Sequence, residues 1–273
     1  MISTRDIKRK IKTIQNIGQM CRAMKTVSLV KLQKAESRLS AARPYRATME
    51  KALTRLLSAL GEDYFPVGGG DRLIIITSDK GLCGGYNAGL IRRAQQEMKN
   101  SPLITIGKKG DRFFRRRGGK VIDSLSPLGS EVSFAPLARL ADRLLAQLKN
   151  GELSSLRVIY GRFLRGTRSE VVVEEIFPPP ERENNGHDED AIFEPPAEVM
   201  AELLLRHYLR AVLYGAVMES LASEHGARVA AMTAASENAD EMIRGLTMAY
   251  NKARQASITS ELTEIVSSAE ALG

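Results

Sequence analysis

Apolar and small residues recur at steps of three and four through both ends of the chain, and in short solid runs through its middle. From Met1 to Leu60 the only proline is Pro44, and Ile7, Ile11, Ile14, Ile17, Cys21, Met24 and Val27 fall on one helical face. Met49, Leu53, Leu56, Leu57 and Leu60 carry an apolar face further. From Ala197 to Gly273 there is no proline, and the stripe reads Leu205, Leu209, Val212, Ala216, then Ala227, Ala231, Ala234, Met242, Leu246, Ala249, Ala253 and Ala256. An unbroken helix over that stretch would be on the order of 110 Å long, against roughly 30 Å for a small domain. A periodic run this far beyond ~25 residues signals a coiled coil or a repeat. Its stripe needs a partner of similar length, and the other chain end supplies one. The pattern predicts an antiparallel coiled coil of an N-terminal helix (residues 1–60) and a C-terminal helix (197–273), with residues near Ile14 beside the final third of the latter.

The middle, residues 61–196, has a different rhythm. Leu73 to Ile76 is a continuous apolar run, as in a strand buried on both faces. The loop TSDKGLCGGYN leads into a helical stretch, Ala88 to Lys99, and a second strand at Pro102 to Ile106. The basic segment GKKGDRFFRRRGGK precedes a short strand at Val121 and Ile122, and Pro136 to Lys149 has helical spacing. Leu156 to Leu164 and Glu170 to Phe177 read as strands joined by a GTR hairpin. This alternation predicts a Rossmann-like α/β domain with a partly parallel sheet. An acidic, proline-bounded loop, PPPERENNGHDEDAIFEPP, returns the chain to the C-terminal helix. The expected fold class is therefore α/β with long helices.

Charge sharpens the pairing of the ends. The chain has 273 residues and a net charge of +8. Residues 1–60 carry 14 Lys/Arg against 3 Asp/Glu, and residues 197–273 carry 6 against 10, so a basic helix laid along an acidic one is favoured by sign. Two cysteines, Cys21 and Cys83, are too few for a disulfide framework, the start MISTRDIKRK lacks an apolar signal core, and no apolar run approaches the ~18 residues of a membrane span. These features predict a soluble intracellular protein in a reducing compartment. GLCGG, between a strand and a helix, is the one stretch that could cradle phosphate, but neither GxxxxGK followed by Ser/Thr nor GxGxxG occurs there, which favours a tight structural connection. His187, His207 and His225 are scattered, and neither cysteine has metal-ligand spacing. The expectation is no catalytic residue, no metal and no cofactor. Two other readings compete: a basic coiled-coil nucleic-acid binder using residues 1–60, and a nucleotide-binding enzyme built on the α/β domain. Only Phe113 and Phe114 lie beside Arg115–Arg117, too little for a base-stacking platform.

Four blocks give a sharper reading. ARQASITSELTEIVSSA near the end, IKTIQNIGQMCRAMKTVSLVKLQKAESRLSAARPY near the start, TSDKGLCGGYNAGLIRR after the first linker and HGARVAAMTAASENADEMI before the last block resemble the gamma subunits of F-type ATP synthases, in the same order. The resemblance implies a non-catalytic central-stalk rotor that couples proton (or sodium) flow through a ring of c subunits to ATP synthesis or hydrolysis. Its partners would be the hexamer of alpha and beta subunits, the epsilon subunit and the c-ring, with no nucleic acid. The chain would then be peripheral to the cytoplasmic face of the cell membrane, held there through the complex. Carried over by motif, Met24 in CRAMKTV and Lys80 in SDKGLCGG would lie near an acidic lever of beta. Arg228 in GARVAAM would serve coupling, and Arg254, Gln255, Thr259 and Glu264 would make the upper rotor–stator contacts. NIGQMCRAM departs from the family's usual run, which puts contacts around Gly18 to Arg22 in doubt, and VSLVKLQKA adds bulk at Leu29 and Val30. The paired regulatory cysteines of chloroplast relatives are absent from the central domain.

Overall fold

Leu73, Ile74, Ile75 and Ile76 are all buried, and alternate residues of this strand face opposite layers. The computed structural model describes residues 4–60, 68–98, 101–126, 132–179 and 194–270. The elements run α1 (Thr4–Leu60), β1 (Gly70–Ile76), α2 (Tyr86–Glu97), β2 (Leu103–Ile106), α3 (Lys108–Arg116), β3 (Val121–Leu125), α4 (Phe134–Lys149), β4 (Leu153–Arg165), β5 (Arg168–Phe177) and α5 (Ala197–Glu270). The five strands lie in the order β3-β2-β1-β4-β5. β1 pairs in parallel with β2 and β4, β2 in parallel with β3, and β4–β5 is an antiparallel hairpin. This is the expected Rossmann-like α/β domain between two long helices. The acidic loop read between the last strand and α5 lies mostly outside the described residues.

The chain divides into two compact units, Met1–Ser28 with Val229–Gly273 and Leu29–Arg228. In the Leu29–Arg228 unit, one face of the sheet (Ile74, Ile76, Val158, Tyr160) packs on α1, α4 and α5 through residues such as Leu53, Leu144, Leu209 and Val212. The other face (Leu73, Ile75, Leu103, Ile159) is covered by Leu90 and Ala94 of α2 and Phe114 of α3. A sheet covered on both faces explains the solid apolar run of β1. Arg43 of α1 donates to Glu219 of α5 at 2.8 Å, and Gly215 lies against Arg46. The partner number falls as the α1 number rises, so these helices run antiparallel.

In the other unit, burial on α1 follows Thr4, Ile7, Ile11, Ile14, Gly18, Cys21, Lys25 and Ser28, and on α5 Val229, Met232, Ser236, Ala239, Ile243, Leu246, Tyr250 and Ala253. Both series step by three and four without drift, the 3.5-residue period of a left-handed coiled coil. Gly18 faces the Ala239 methyl, where a Cβ would sit 3.4 Å away. Arg22 donates to Asp240 at 3.2 Å. Two expectations are corrected here. Ile17 and Val27 stand outside the seam, 48% and 56% exposed, as do Met242 and Ala249. The seam takes Gly18 and Ser28 instead because close backbones select small residues. The register also differs: α1 near Gly18 meets the middle of α5 rather than its last third. Past Ala253, every described residue of α5 is exposed.

Candidate functional site

In open α/β sheets, ligands bind in the crevice outside the carboxyl ends of the strands where the strand order reverses. Here that point lies between β1 and β4, and the loop leaving β1, Thr77 to Gly85, borders it. The loop is held from within. Asn87 Oδ1 accepts from the Ser78 amide at 3.0 Å, and Asn87 Nδ2 donates to Ser78 Oγ and to the buried Cys83 Sγ at 2.7 and 3.2 Å. Ser78 Oγ donates to the Lys80 carbonyl at 2.6 Å. The chain then passes through Leu82 at φ +63° and Gly84 at φ +56°, and Leu82 is a non-glycine residue in the left-handed region, which is uncommon.

The crevice itself is filled by α5. Tyr86, at the start of α2, donates its hydroxyl to the Ser220 carbonyl at 2.8 Å, and Ser220 Oγ donates to the carbonyl of Ile76 at 3.4 Å. Ser223 Oγ donates to the Gly161 carbonyl on β4 at 2.8 Å. A Cβ at Gly161 would sit 2.8 Å from the Tyr86 ring and 3.0 Å from Ser223 Cβ, so only glycine admits this approach. Burial pushes the Tyr86 hydroxyl well above its ordinary pKa; it acts as a fixed neutral donor.

One turn further along α5, Arg228 reaches the loop. Its Nε and Nη2 donate to the Gly81 carbonyl, both at 3.2 Å, and Nη2 approaches the Lys80 carbonyl at 3.5 Å. Nη2 also donates to Glu224 at 2.6 Å, and Nη1 lies 3.1 Å from His225 Nδ1. Burial raises the Glu224 carboxyl, opposed by the Arg228 charge. Burial, followed by the charges of Arg228 and Lys31, lowers His225 to about 4, so its ring is neutral and can accept from the guanidinium.

Two of the residues singled out from sequence, Lys80 and Arg228, are thus brought together, but through the Lys80 backbone; its side chain is exposed. Arg228 is only 6% exposed, so its guanidinium is engaged inside the unit. Met24 lies in the coiled-coil unit, half-buried, with its carbonyl accepting from Ser28 Oγ. Arg254, Gln255, Thr259 and Glu264 are exposed on α5 beyond the seam. Sequence reasoning missed Tyr86, Ser220, Ser223 and Glu224. The signal available for Glu224 was a Glu–Arg pair four residues apart, which places the two side chains side by side on a helix.

The basic residues of α1 bear on the nucleic-acid reading. Several basic residues of α1 are engaged with acids: Arg22 with Asp240, Arg43 with Glu219, Arg46 with Glu50 and Glu174. Among the described residues no three His, Cys, Asp or Glu side chains form a group able to hold a metal, and no helix is long and apolar enough to cross a membrane.

The sequence matches the ATP synthase family over residues 3–272. It is 39% identical to the ATP synthase gamma chain of Moorella thermoacetica and 38% identical to that of Pelotomaculum thermopropionicum, in each case over 100% of both chains. Among solved structures, it resembles a chain of the Euglena gracilis mitochondrial ATP synthase (OSCP/F1/c-ring, rotational state 3) with TM-score 0.71 and 20% identity, over 98% of this chain and 94% of that one. A chain from the central stalk and c-ring of the Tetrahymena thermophila mitochondrial enzyme gives TM-score 0.64 and 24% identity, over 80% and 99%.

Proposed function

The chain belongs to the ATP synthase gamma chain family, and on that premise we propose that it works as a non-catalytic rotor whose α5 tip turns within a ring of alpha and beta subunits. The observation that carries this reading is the run of α5 past Ala253. There Ile258, Leu262, Ile265 and Val266 are 47 to 64% exposed at helical spacing, on a helix that also exposes Arg254, Gln255, Thr259 and Glu264. An apolar stripe rimmed by polar residues marks an interaction surface. A surrounding stator covers it while leaving the helix free to rotate. Met24 and Lys80 are further contacts in this reading, and epsilon and the c-ring are the remaining partners. The complex holds the chain at the cytoplasmic face of the membrane and lets it transmit proton or sodium flow. Support for a non-catalytic role comes from α5 itself, which occupies the crevice where an α/β enzyme of this topology would take its ligand.

The test is the double variant Arg254→Ala/Gln255→Ala. Alanine keeps the helix, so the complex still assembles, as checked by gel filtration and by co-purification of alpha and beta. ATP hydrolysis per assembled complex falls by about tenfold, equivalent to ~1.4 kcal/mol of barrier. Unchanged turnover in a normally assembled variant would reduce these side chains to solvated surface.

A further inference from the structure

We infer that Arg228 is a positioning residue: from α5 it locks the Ser78–Gly85 loop in one conformation and so fixes where Lys80 presents its amine. The inference rests on the reading of Lys80 as a rotor contact. Arg228 and Glu224 are 6% and 8% exposed, so neither charge is available to another chain. A buried ion pair is a poor way to gain stability alone, because desolvation offsets the attraction. What this pair supplies is geometry. The planar guanidinium fork reaches two successive carbonyls, Lys80 and Gly81, while Nη2 is held by Glu224 and Nη1 lies against His225 Nδ1. A lysine could not reproduce that fork.

The loop needs holding at this point. Ser78, Cys83 and Asn87 secure its two ends, but between them the backbone turns through Leu82 and Gly84 at positive φ. Leu82 is 60% exposed, so little packing holds it. The Lys80 carbonyl is fixed from one side by Ser78 Oγ and approached from the other by Arg228. The base of the lysine is therefore immobilised while its amine projects freely. Because the lock comes from α5, the loop keeps its place relative to that helix through Arg228 and through Ser220, whose carbonyl accepts from Tyr86 just past the loop.

The experiment uses the assembled complex. Arg228→Lys keeps the charge without the fork, and Arg228→Gln removes the charge. Amide exchange is read at Gly81 to Gly84 and, as a control, along β1 and β4. Both variants should speed exchange of the loop amides at least roughly tenfold and leave the strand amides unchanged. ATP hydrolysis is compared for Lys80→Ala, Arg228→Lys and the two combined. The combination should turn over no more slowly than the worse single variant, since both act through one amine. Unchanged loop exchange in both Arg228 variants overturns the inference, as do losses that multiply in the combination or strand amides that loosen along with the loop. A Lys80→Ala complex with normal turnover removes the contact reading instead, and the exchange data alone then decide whether Arg228 holds the loop.

Discussion

Helix α5 obeys two rules along its length. From Ala211 to Glu224 every residue is buried or half-buried, with Val212, Leu213, Val217 and Met218 fully enclosed. From Val229 to Ala253 burial follows a narrow heptad seam. A helix apolar all round belongs to a core, whereas a narrow stripe belongs to a two-helix seam. The same backbone is therefore a core element in one unit and half of a shaft in the other. In the first unit stability comes from enclosed volume. In the second it comes from close backbone approach, and most of the surface is left exposed.

The sharpest way to break this comparison is to hollow each region. Leu213→Ala, in the enclosed stretch, should cost about 2–5 kcal/mol, read as a drop in the urea midpoint of the full chain. A cost under about 1 kcal/mol would mean that stretch is not a core. In the seam the sensitivity is reversed. Gly18→Leu must push against Ala239 and should cost about 1–3 kcal/mol, while Ile17→Ala next to it should change stability by less than about 0.5 kcal/mol. If Ile17→Ala proves the costlier, the seam is drawn one residue off.

A pH comparison separates the units more gently. His225 titrates near 4 in the folded chain and near 6.5 when unfolded. A depressed folded pKa means that the unfolded state binds more protons between these values. Its contribution is therefore present above pH 6.5 and lost as pH falls toward 4. The raised Glu224 acts with the opposite sign, since its contribution is full below the ordinary carboxylate value and declines as pH rises through its folded pKa. His225→Gln should flatten the acid side of the stability profile by on the order of 1–2 kcal/mol once the ring's remaining exposure is allowed for, measured as the difference in urea midpoint between pH 7 and pH 4.5. An unchanged slope would place the acid sensitivity elsewhere. A comparably small effect belongs to the seam's rim: Arg22–Asp240, with side chains 52% and 45% exposed, should be worth ~0–1 kcal/mol and fade with salt. A loss in Arg22→Ala that persists in 1 M salt would show a desolvated pair.

The strands and the pairing of the ends were legible because both rest on apolar periodicity. β1 and the β4–β5 hairpin fall where the solid runs and the GTR turn put them, with β4 beginning earlier, at Leu153. The seam was legible in direction but not in detail. Choosing the most apolar residue at each step selected Ile17 and Val27, whereas a tight interface selects Gly18 and Ser28; on α5 the stripe was drawn one residue off, at Met242 rather than Ile243. Helix α3 was hidden because its charges dominate the pattern, although Gly110 and Phe114 are its buried face. The places where the compact units part, after Ser28 and Arg228, carry no loop signal, since unbroken helix runs through both. In the site, Lys80 and Arg228 were named from motifs, but their meeting depends on a backbone carbonyl, which no side-chain pattern reports.

The undrifting seam has a mechanical consequence. Its α5 half, Val229 to Ala253, spans ~36 Å at 1.5 Å per residue, about a quarter of the ~150 Å pitch of a left-handed two-stranded supercoil. The pair is thus a short length of left-handed rope. Twisting it in one sense winds the strands tighter, pressing Gly18 onto Ala239 against hard van der Waals repulsion. Twisting it in the other sense unlays them, resisted only by weak attraction and the screened pair Arg22–Asp240. Its torsional stiffness differs between the two directions, so clockwise and anticlockwise loads are borne by different atoms.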